Sequence, residues 1–187
     1  MKRIAIFASG GGSNALKFIE HFDSVSDIEV ALVVTNRKTA GVLNHAHAYN
    51  VSTLIVNRPY FYDTTNIIAV MKSEQIDMIV LAGFLWLIPP YLVKAFPDKI
   101  VNIHPALLPK YGGKGMYGKH VHKAVKEAGE TESGITIHFV NERYDDGNHI
   151  FQATCSIDQT DSAETIASKV LTLEHKHFVE QVHLLLS

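Results

Sequence analysis

The sequence holds a single cysteine, Cys155, among 187 residues. An internal disulfide is therefore impossible and one cysteine cannot build a structural zinc site, so the chain is expected to work in a reducing, cytoplasmic setting. Charge of one sign is also lacking, since 17 Lys and Arg against 19 Asp and Glu leave a formal net charge of −2. No block gathers like charges, which argues against a nucleic-acid partner held by counterion release and against a polybasic membrane patch. Long apolar runs are missing as well. None approaches the roughly 20 residues needed to span a bilayer. The run after Met1-Lys2-Arg3 superficially copies a secretory signal, but it stops at Ala8 and breaks into Ser9-Gly10-Gly11-Gly12-Ser13. A buried first strand is expected there. With 47% apolar and 19% charged residues the composition is that of a globular protein. The length suits one domain over residues 1–187 and is short for two.

Continuous apolar runs at Ile4–Ala8, Val30–Val34, Thr53–Val56, Met78–Ala82 and Ile100–Ile103 predict strands buried on both faces, the mark of a parallel sheet. Segments of helical spacing separate most of them. Asn14–Phe22 follows Ser13 as its expected cap, then come Ala40–Tyr49, Thr64–Gln75, and Pro90–Phe96 with proline in the first turn, where its missing N–H costs nothing. This alternation predicts an α/β fold, a doubly wound, mainly parallel sheet. Beyond Pro105 a glycine-rich loop (Leu107–Gly118) leads into a helix near Val121–Glu127. Gly134–Val140 and Ile150–Ile157 then read as an antiparallel edge extension. Asp161–Leu186 reads as a long closing helix with Asp161 or Ser162 as cap and Glu164 in its first turn.

Gly10-Gly11-Gly12-Ser13-Asn14 lies directly after the first strand and opens the first helix. Backbone N–H groups and the helix dipole favour an anion in that setting, and a small phosphorylated ligand is the expected guest. The same residues fit the dinucleotide pattern G-x-G-x-x-G/A. An NAD site would want an acid at the end of the second strand, where Thr35-Asn36-Arg37 stands instead, so an NADP-binding oxidoreductase remains the alternative. Gly113 to Lys119 spaces like a nucleoside-triphosphate loop. His120 occupies the position of the magnesium-binding hydroxyl, however, and no strand runs into it, so a loop without that function is expected. Asp145-Asp146-Gly147 reads by turn chemistry alone as a loop tip.

Eleven histidines include three His-x-His pairs: His45/His47, His120/His122 and His175/His177. Residues two apart on a helix point to different faces and chelate poorly, so no metal is expected. His104 differs from these. It closes a central strand just before Pro105, at the end of a parallel sheet where ligands bind.

Asn102-Ile103-His104-Pro105-Ala106-Leu107-Leu108-Pro109-Lys110-Tyr111 resembles the signature of folate-dependent formyltransferases, and Gly134 to Val140 with Asn141 to Gly147 and Ile150 is similar to the same family's second signature. Leu81-Ala82-Gly83-Phe84 matches its folate-bordering strand end. Gly12-Ser13-Asn14 and Glu174-His175 are similar to the branch that acts on glycinamide ribonucleotide. The likeness covers essentially the whole chain and implies a Rossmann-like formyltransferase fold. It implies transfer of the formyl group of 10-formyltetrahydrofolate, as co-substrate, to the amine of glycinamide ribonucleotide in purine synthesis. A formyltransferase acting on another amine is the nearer alternative.

The resemblance also implies roles. Asn102, His104 and Asp145 correspond to the catalytic trio. Gly12, Ser13, Asn14, Gly83 and Glu174 would take the ribonucleotide, and Leu85, Trp86, Leu87, Ile88, Val140, Asn141 and Asp145 would border the folate. A protonated His104, its pKa raised by Asp145, is expected to help an Asn102 amide stabilise the oxyanion. Trp86 stands where many relatives carry arginine, Asn148-His149 replaces a more usual Pro-Val, and Gly112-Gly113-Lys114 departs from a proline-glycine continuation. The expected partners are these small molecules only, for a monomer or a homodimer.

Overall fold

The computed structural model describes residues 1–25 and 27–187. They form two compact units, Met1–Val101 with Leu186, and Asn102–Leu185 with Ser187. The first contains β1 (Lys2–Phe7), α1 (Ser13–Asp23), β2 (Ile28–Thr35), α2 (Val42–Ala48), β3 (Ser52–Ile55), α3 (Arg58–Tyr62), α4 (Asn66–Ser73), β4 (Met78–Leu81) and α5 (Pro90–Ala95). After β5 (Ile100–His104), the second contains α6 (Lys119–Glu127), β6 (Glu132–Phe139), β7 (His149–Ser156) and α7 (Ala163–Leu186). The strands make a seven-stranded mixed sheet in the order β3-β2-β1-β4-β5-β6-β7. The expected doubly wound sheet with an antiparallel edge is the one found.

In the first unit β1 pairs in parallel with β2 on one side and β4 on the other. Ile4 to Ala8 are fully buried, as a strand with neighbours on both edges and helices on its faces must be. The chain builds outward from β1 to β3, then returns to the far side of β1 as β4, so β1 and β4 flank the reversal of direction. Their carboxyl ends border the kind of crevice where open α/β sheets bind ligands. Helix α1 turns Ala15, Phe18, Ile19 and Phe22 inward, a three- and four-residue spacing that gives one apolar stripe.

Two local expectations are corrected. Ser13 does not cap α1; it lies inside the helix, and Gly12 occupies the cap at φ 80° with no side-chain bond. A Cβ at residue 12 would lie 2.6 Å from that of Val42, so the approach to α2 excludes any larger residue. Helix α3 was not anticipated. It is five residues long, capped by the Asn57 side chain on the Tyr60 N–H at 2.9 Å, with Pro59 in its first turn.

In the second unit β6 and β7 pair antiparallel from Glu132↔Ser156 to His138↔His149, with an irregularity between Ile137 and His138. Gly134 is required within that ladder, because a Cβ there would fall 2.0 Å from the Ala153 carbonyl oxygen. Ser162 caps α7 by accepting the Thr165 N–H at 3.1 Å, and Glu164 sits in the first turn, as expected. Ile166, Val170, Phe178, Val179 and Val182 form its buried face.

Candidate active site

Strand β5 presents Asn102 and His104 two residues apart, hence on the same face of the sheet. The chain after it is pinned by one buried hydroxyl. Thr136 Oγ1 on β6 donates to the Ala106 carbonyl at 2.7 Å and accepts the Leu108 N–H at 3.0 Å. Gln152 Nε2 on β7 donates to that hydroxyl at 2.8 Å and to the Leu108 carbonyl at 3.1 Å. Every polar group in this bracket is bonded, so the segment leaving His104 has a defined course.

The 140–148 loop brings Asp145 back to His104. Gly147 is pressed against the Phe139 carbonyl, where a Cβ would lie 1.7 Å from the oxygen. The Phe139 N–H donates to the Asn148 carbonyl at 2.9 Å and closes the loop. Asp145 then adopts φ 52° and buries its carboxylate, leaving the side chain 11% exposed. Oδ2 accepts the Gly113 N–H at 2.9 Å and lies 3.5 Å from His104 Nδ1; Oδ1 lies 3.7 Å from His138 Nε2. The loop tip expected from turn chemistry is thus an interior carboxylate. Asn141, at the start of the loop, serves it internally: its Oδ1 accepts the Arg143 N–H at 2.8 Å and its Nδ2 donates to Asp146 Oδ2 at 3.2 Å. Val140 beside it is half-buried.

The bonding pattern assigns the protons. His104 Nε2 lies 2.8 Å from the Tyr111 carbonyl, which can only accept, so Nε2 carries a hydrogen, and Nδ1 is the ring nitrogen on the Asp145 side. His138 Nδ1 lies 2.8 Å from the Phe139 carbonyl and donates to it. Its Nε2 therefore accepts from Asn102 Nδ2 at 3.1 Å, which fixes the amide and leaves a second Nδ2 hydrogen to give.

Burial pushes the His104 pKa down, and although the Asp145 carboxylate and the Tyr111 carbonyl pull it back up, the net shift is downward. The expectation of a protonated His104 is therefore corrected: Asp145 acts in the expected direction, but taking the imidazolium out of water costs more. At neutral pH the resting ring is neutral. Burial pushes Asp145 upward, yet the neighbouring His138 and His104 imidazoles and the Gly113 N–H outweigh it, so the carboxyl stays ionised below its usual range. At 3.7 Å His138 Nε2 is too far from Asp145 for a hydrogen bond.

In the first unit, Gly10, Gly11 and Gly12 turn the chain from β1 into α1, with Ser13 and Asn14 in the first helical turn. The Val42 N–H donates to the Gly10 carbonyl at 3.2 Å, and a Cβ on Gly41 would come within 3.1 Å of Gly11, so the start of α2 braces the turn. Gly83 (φ 77°) follows β4 and is tied to the segment after β1: its carbonyl accepts the Ser9 N–H at 3.1 Å, and Ser9 Oγ accepts the Leu85 N–H at 2.9 Å. The stretch after it has Leu85 exposed, Trp86 and Leu87 half-buried and Ile88 buried. Tyr62 donates to the Leu87 carbonyl at 3.0 Å. Trp86 packs on Phe61, Tyr62 and Phe84, with the Arg58 guanidinium 5.0 Å above its ring. Helix α3 thus supports the wall that the resemblance assigns to folate.

Asn102, His104 and Asp145 are gathered in one cluster. Glu174 lies half-buried on α7. His138 and Thr136 lie in the second signature segment but were given no role there, although a signal existed. Both fall on one parity of β6 among Ile135, Ile137 and Phe139, and polar residues recurring on one face of a buried strand mark a site. No sequence pattern foretells the backbone contributions of Tyr111 and Gly113.

The formyl transferase family model matches residues 2–182. The chain belongs to this family. It is 43% identical to a chloroplastic phosphoribosylglycinamide formyltransferase of Arabidopsis thaliana, over 97% of this chain and 64% of that protein. It is 34% identical to the phosphoribosylglycinamide formyltransferase of Bacillus subtilis (strain 168), over 100% of this chain and 95% of that one. A crystal structure of the enzyme so named from Bacillus halodurans superposes with a TM-score of 0.89 at 35% identity, covering 100% of this chain and 96% of that chain. The chain spans just under two thirds of the plant relative's length.

Proposed function

We propose that the protein transfers the formyl group of 10-formyltetrahydrofolate to the primary amine of glycinamide ribonucleotide, giving formylglycinamide ribonucleotide and tetrahydrofolate in purine synthesis. The observation that carries this reading is the cluster itself: an oriented amide donor, a neutral imidazole with its lone pair inward and an ionised carboxylate facing it. The substrate amine attacks the formyl carbon, a C–N bond forms, and the carbonyl electrons move onto oxygen. The free Asn102 Nδ2 hydrogen meets that oxyanion. Nδ1 of His104 takes the proton lost by the amine, and Asp145 stabilises the imidazolium. As the oxyanion collapses, the bond to the folate nitrogen breaks and His104 returns the proton to that nitrogen. The cycle closes with the ring neutral.

Gly12, Ser13 and Asn14 would receive the ribonucleotide phosphate on the backbone N–H groups of a helix start, with Gly83 and Glu174 contacting the same substrate. Leu85, Trp86, Leu87, Ile88, Val140 and Asn141 would border the folate. Residues 1–187 would act together as one catalytic domain, as a monomer or a homodimer in a reducing, cytoplasmic setting. Among the described residues no helix is long and apolar enough to cross a membrane.

A formyl-transfer assay with both substrates, following tetrahydrofolate release, tests the proposal. Turnover that depends on glycinamide ribonucleotide supports it. Turnover only with another amine points to a different acceptor, and tight NADPH binding without formyl transfer would return the oxidoreductase reading.

A further inference from the structure

Tyr111 is a non-glycine residue held at φ 56°. That left-handed conformation is unfavourable for an L-residue with a large side chain, so contacts outside its own backbone hold it. Its phenol donates to Glu130 Oε1 at 2.8 Å, and Lys110 Nζ donates to the same oxygen at 2.8 Å. The Lys110 side chain is 67% exposed, so its ion pair contributes little. The Glu130 side chain is 25% exposed, and a hydrogen bond from a phenol to a charged carboxylate is stronger than one between neutral groups. It ties the Tyr111 ring, and with it the strained residue, to the α6–β6 connection. The Tyr111 carbonyl in turn accepts the Nε2–H of His104. A continuous path of bonds therefore runs from a carboxylate on the α6–β6 connection, through a phenol and a strained peptide, to the ring whose tautomer decides which nitrogen can take a proton.

We propose that Glu130 is a positioning residue for His104. By holding the Tyr111 ring it fixes the Tyr111 carbonyl against Nε2, keeps the hydrogen on that nitrogen, and leaves Nδ1, on the Asp145 side of the ring, free to take a proton from the substrate. When the phenol is released, the carbonyl moves away, the ring hydrogen redistributes to Nδ1 beside the carboxylate, and the base is lost. The part about catalysis rests on the function proposed above; the part about the tautomer does not.

The experiment uses the whole chain with ¹⁵N-labelled histidine and compares wild type with Tyr111→Phe, Glu130→Ala and Glu130→Gln. Imidazole ¹⁵N shifts of His104 report the tautomer without substrate. Wild type and Glu130→Gln, which keeps an acceptor oxygen, are expected to show the Nε2–H form. Tyr111→Phe and Glu130→Ala are expected to show a growing Nδ1–H fraction. In formyl transfer the last two should lose about 10-fold or more in kcat with KM for the amine nearly unchanged, as misplacement of a reacting group does. Glu130→Gln should recover most of it. An unchanged tautomer in Tyr111→Phe, a conservative change that leaves the fold intact, overturns the proposal. So does a rate loss confined to KM. If the tautomer shifts as expected but no variant, wild type included, transfers formyl groups, the function is wrong and the positioning role stands.

Discussion

In the proposed reaction Asn102 and His104 divide the work between a donor that needs no titration and a base that must stay neutral. Asn102→Ala and His104→Ala should therefore each lower kcat on the order of 10²-fold or more, with substrate Kd changing far less, because each acts where charge develops. Near-wild-type turnover in either variant contradicts the assignment. Asp145→Asn separates the two effects of the carboxylate. Removing its charge lets burial depress His104 further, so the acid limb of the kcat profile should move to lower pH. The imidazolium formed during turnover loses its partner at the same time, so the plateau rate should fall. A pH profile superposable on wild type means that Asp145 does not act through His104. Sequence periodicity could place the first two residues at a strand end but gave no reason to bring Asp145 to them. The reason lies in Gly147, whose missing side chain lets the loop fold onto the Phe139 carbonyl and turn Asp145 inward. Only the likeness of the whole segment to a family signature pointed to that carboxylate.

At the scale of elements, β5 and β6 form the site through a connection that neither strand pattern describes. The apolar runs of β1 to β5 are legible because strands buried on both faces have to be continuous, and α7 because its length and its Ser162 cap leave no other reading. Helix α3 was not legible: five residues with a proline and three aromatics show no helical period, and only the Asn57 cap betrays it. The Leu107–Gly118 segment looks like an idle loop for the same reason, since its order comes from side chains elsewhere. Thr136 is the clearest of these. Thr136→Val keeps volume and shape but strips the partner from the Leu108 N–H, the Ala106 carbonyl and the Gln152 amide. Leaving one or two of these unpaired in the interior should cost about 1–3 kcal/mol and lower Tm by about 2–4 °C for each kcal/mol. Activity should fall by more than the loss of folded protein explains, because the bracket also sets where Tyr111 begins. Equal losses in activity and in folded fraction would make Thr136 merely structural.

For the molecule as a whole, the same burial that suits His104 to be a base makes the fold sensitive to acid. His122, on the inner face of α6, is also buried, its Nδ1 has no hydrogen-bond partner among the described residues, and burial together with the nearby His104 holds its pKa below the ordinary value. A group whose folded pKa lies below its unfolded value of about 6.5 binds protons more readily in the unfolded chain. Stability is then undiminished above that value and is lost as pH falls from it towards the depressed folded pKa. Asp145 adds a second, more acidic window: its folded pKa is also lowered, so its contribution is present above the ordinary carboxyl range and disappears as pH drops through the folded value. The surface pairs Lys17–Glu20 and Lys123–Glu127 are exposed and screened, and they should add little to either window. Thermal unfolding should thus show Tm nearly flat above pH 7, declining as pH falls below about 6.5 from the two histidines, and declining again below the ordinary Asp value of about 3.9. In His122→Gln, which keeps a polar side chain but cannot be protonated, the first decline should shrink while the second remains. If that variant follows the wild-type curve through both windows, the acid sensitivity lies outside α6 and the burial of His122 carries no penalty that protonation can reach.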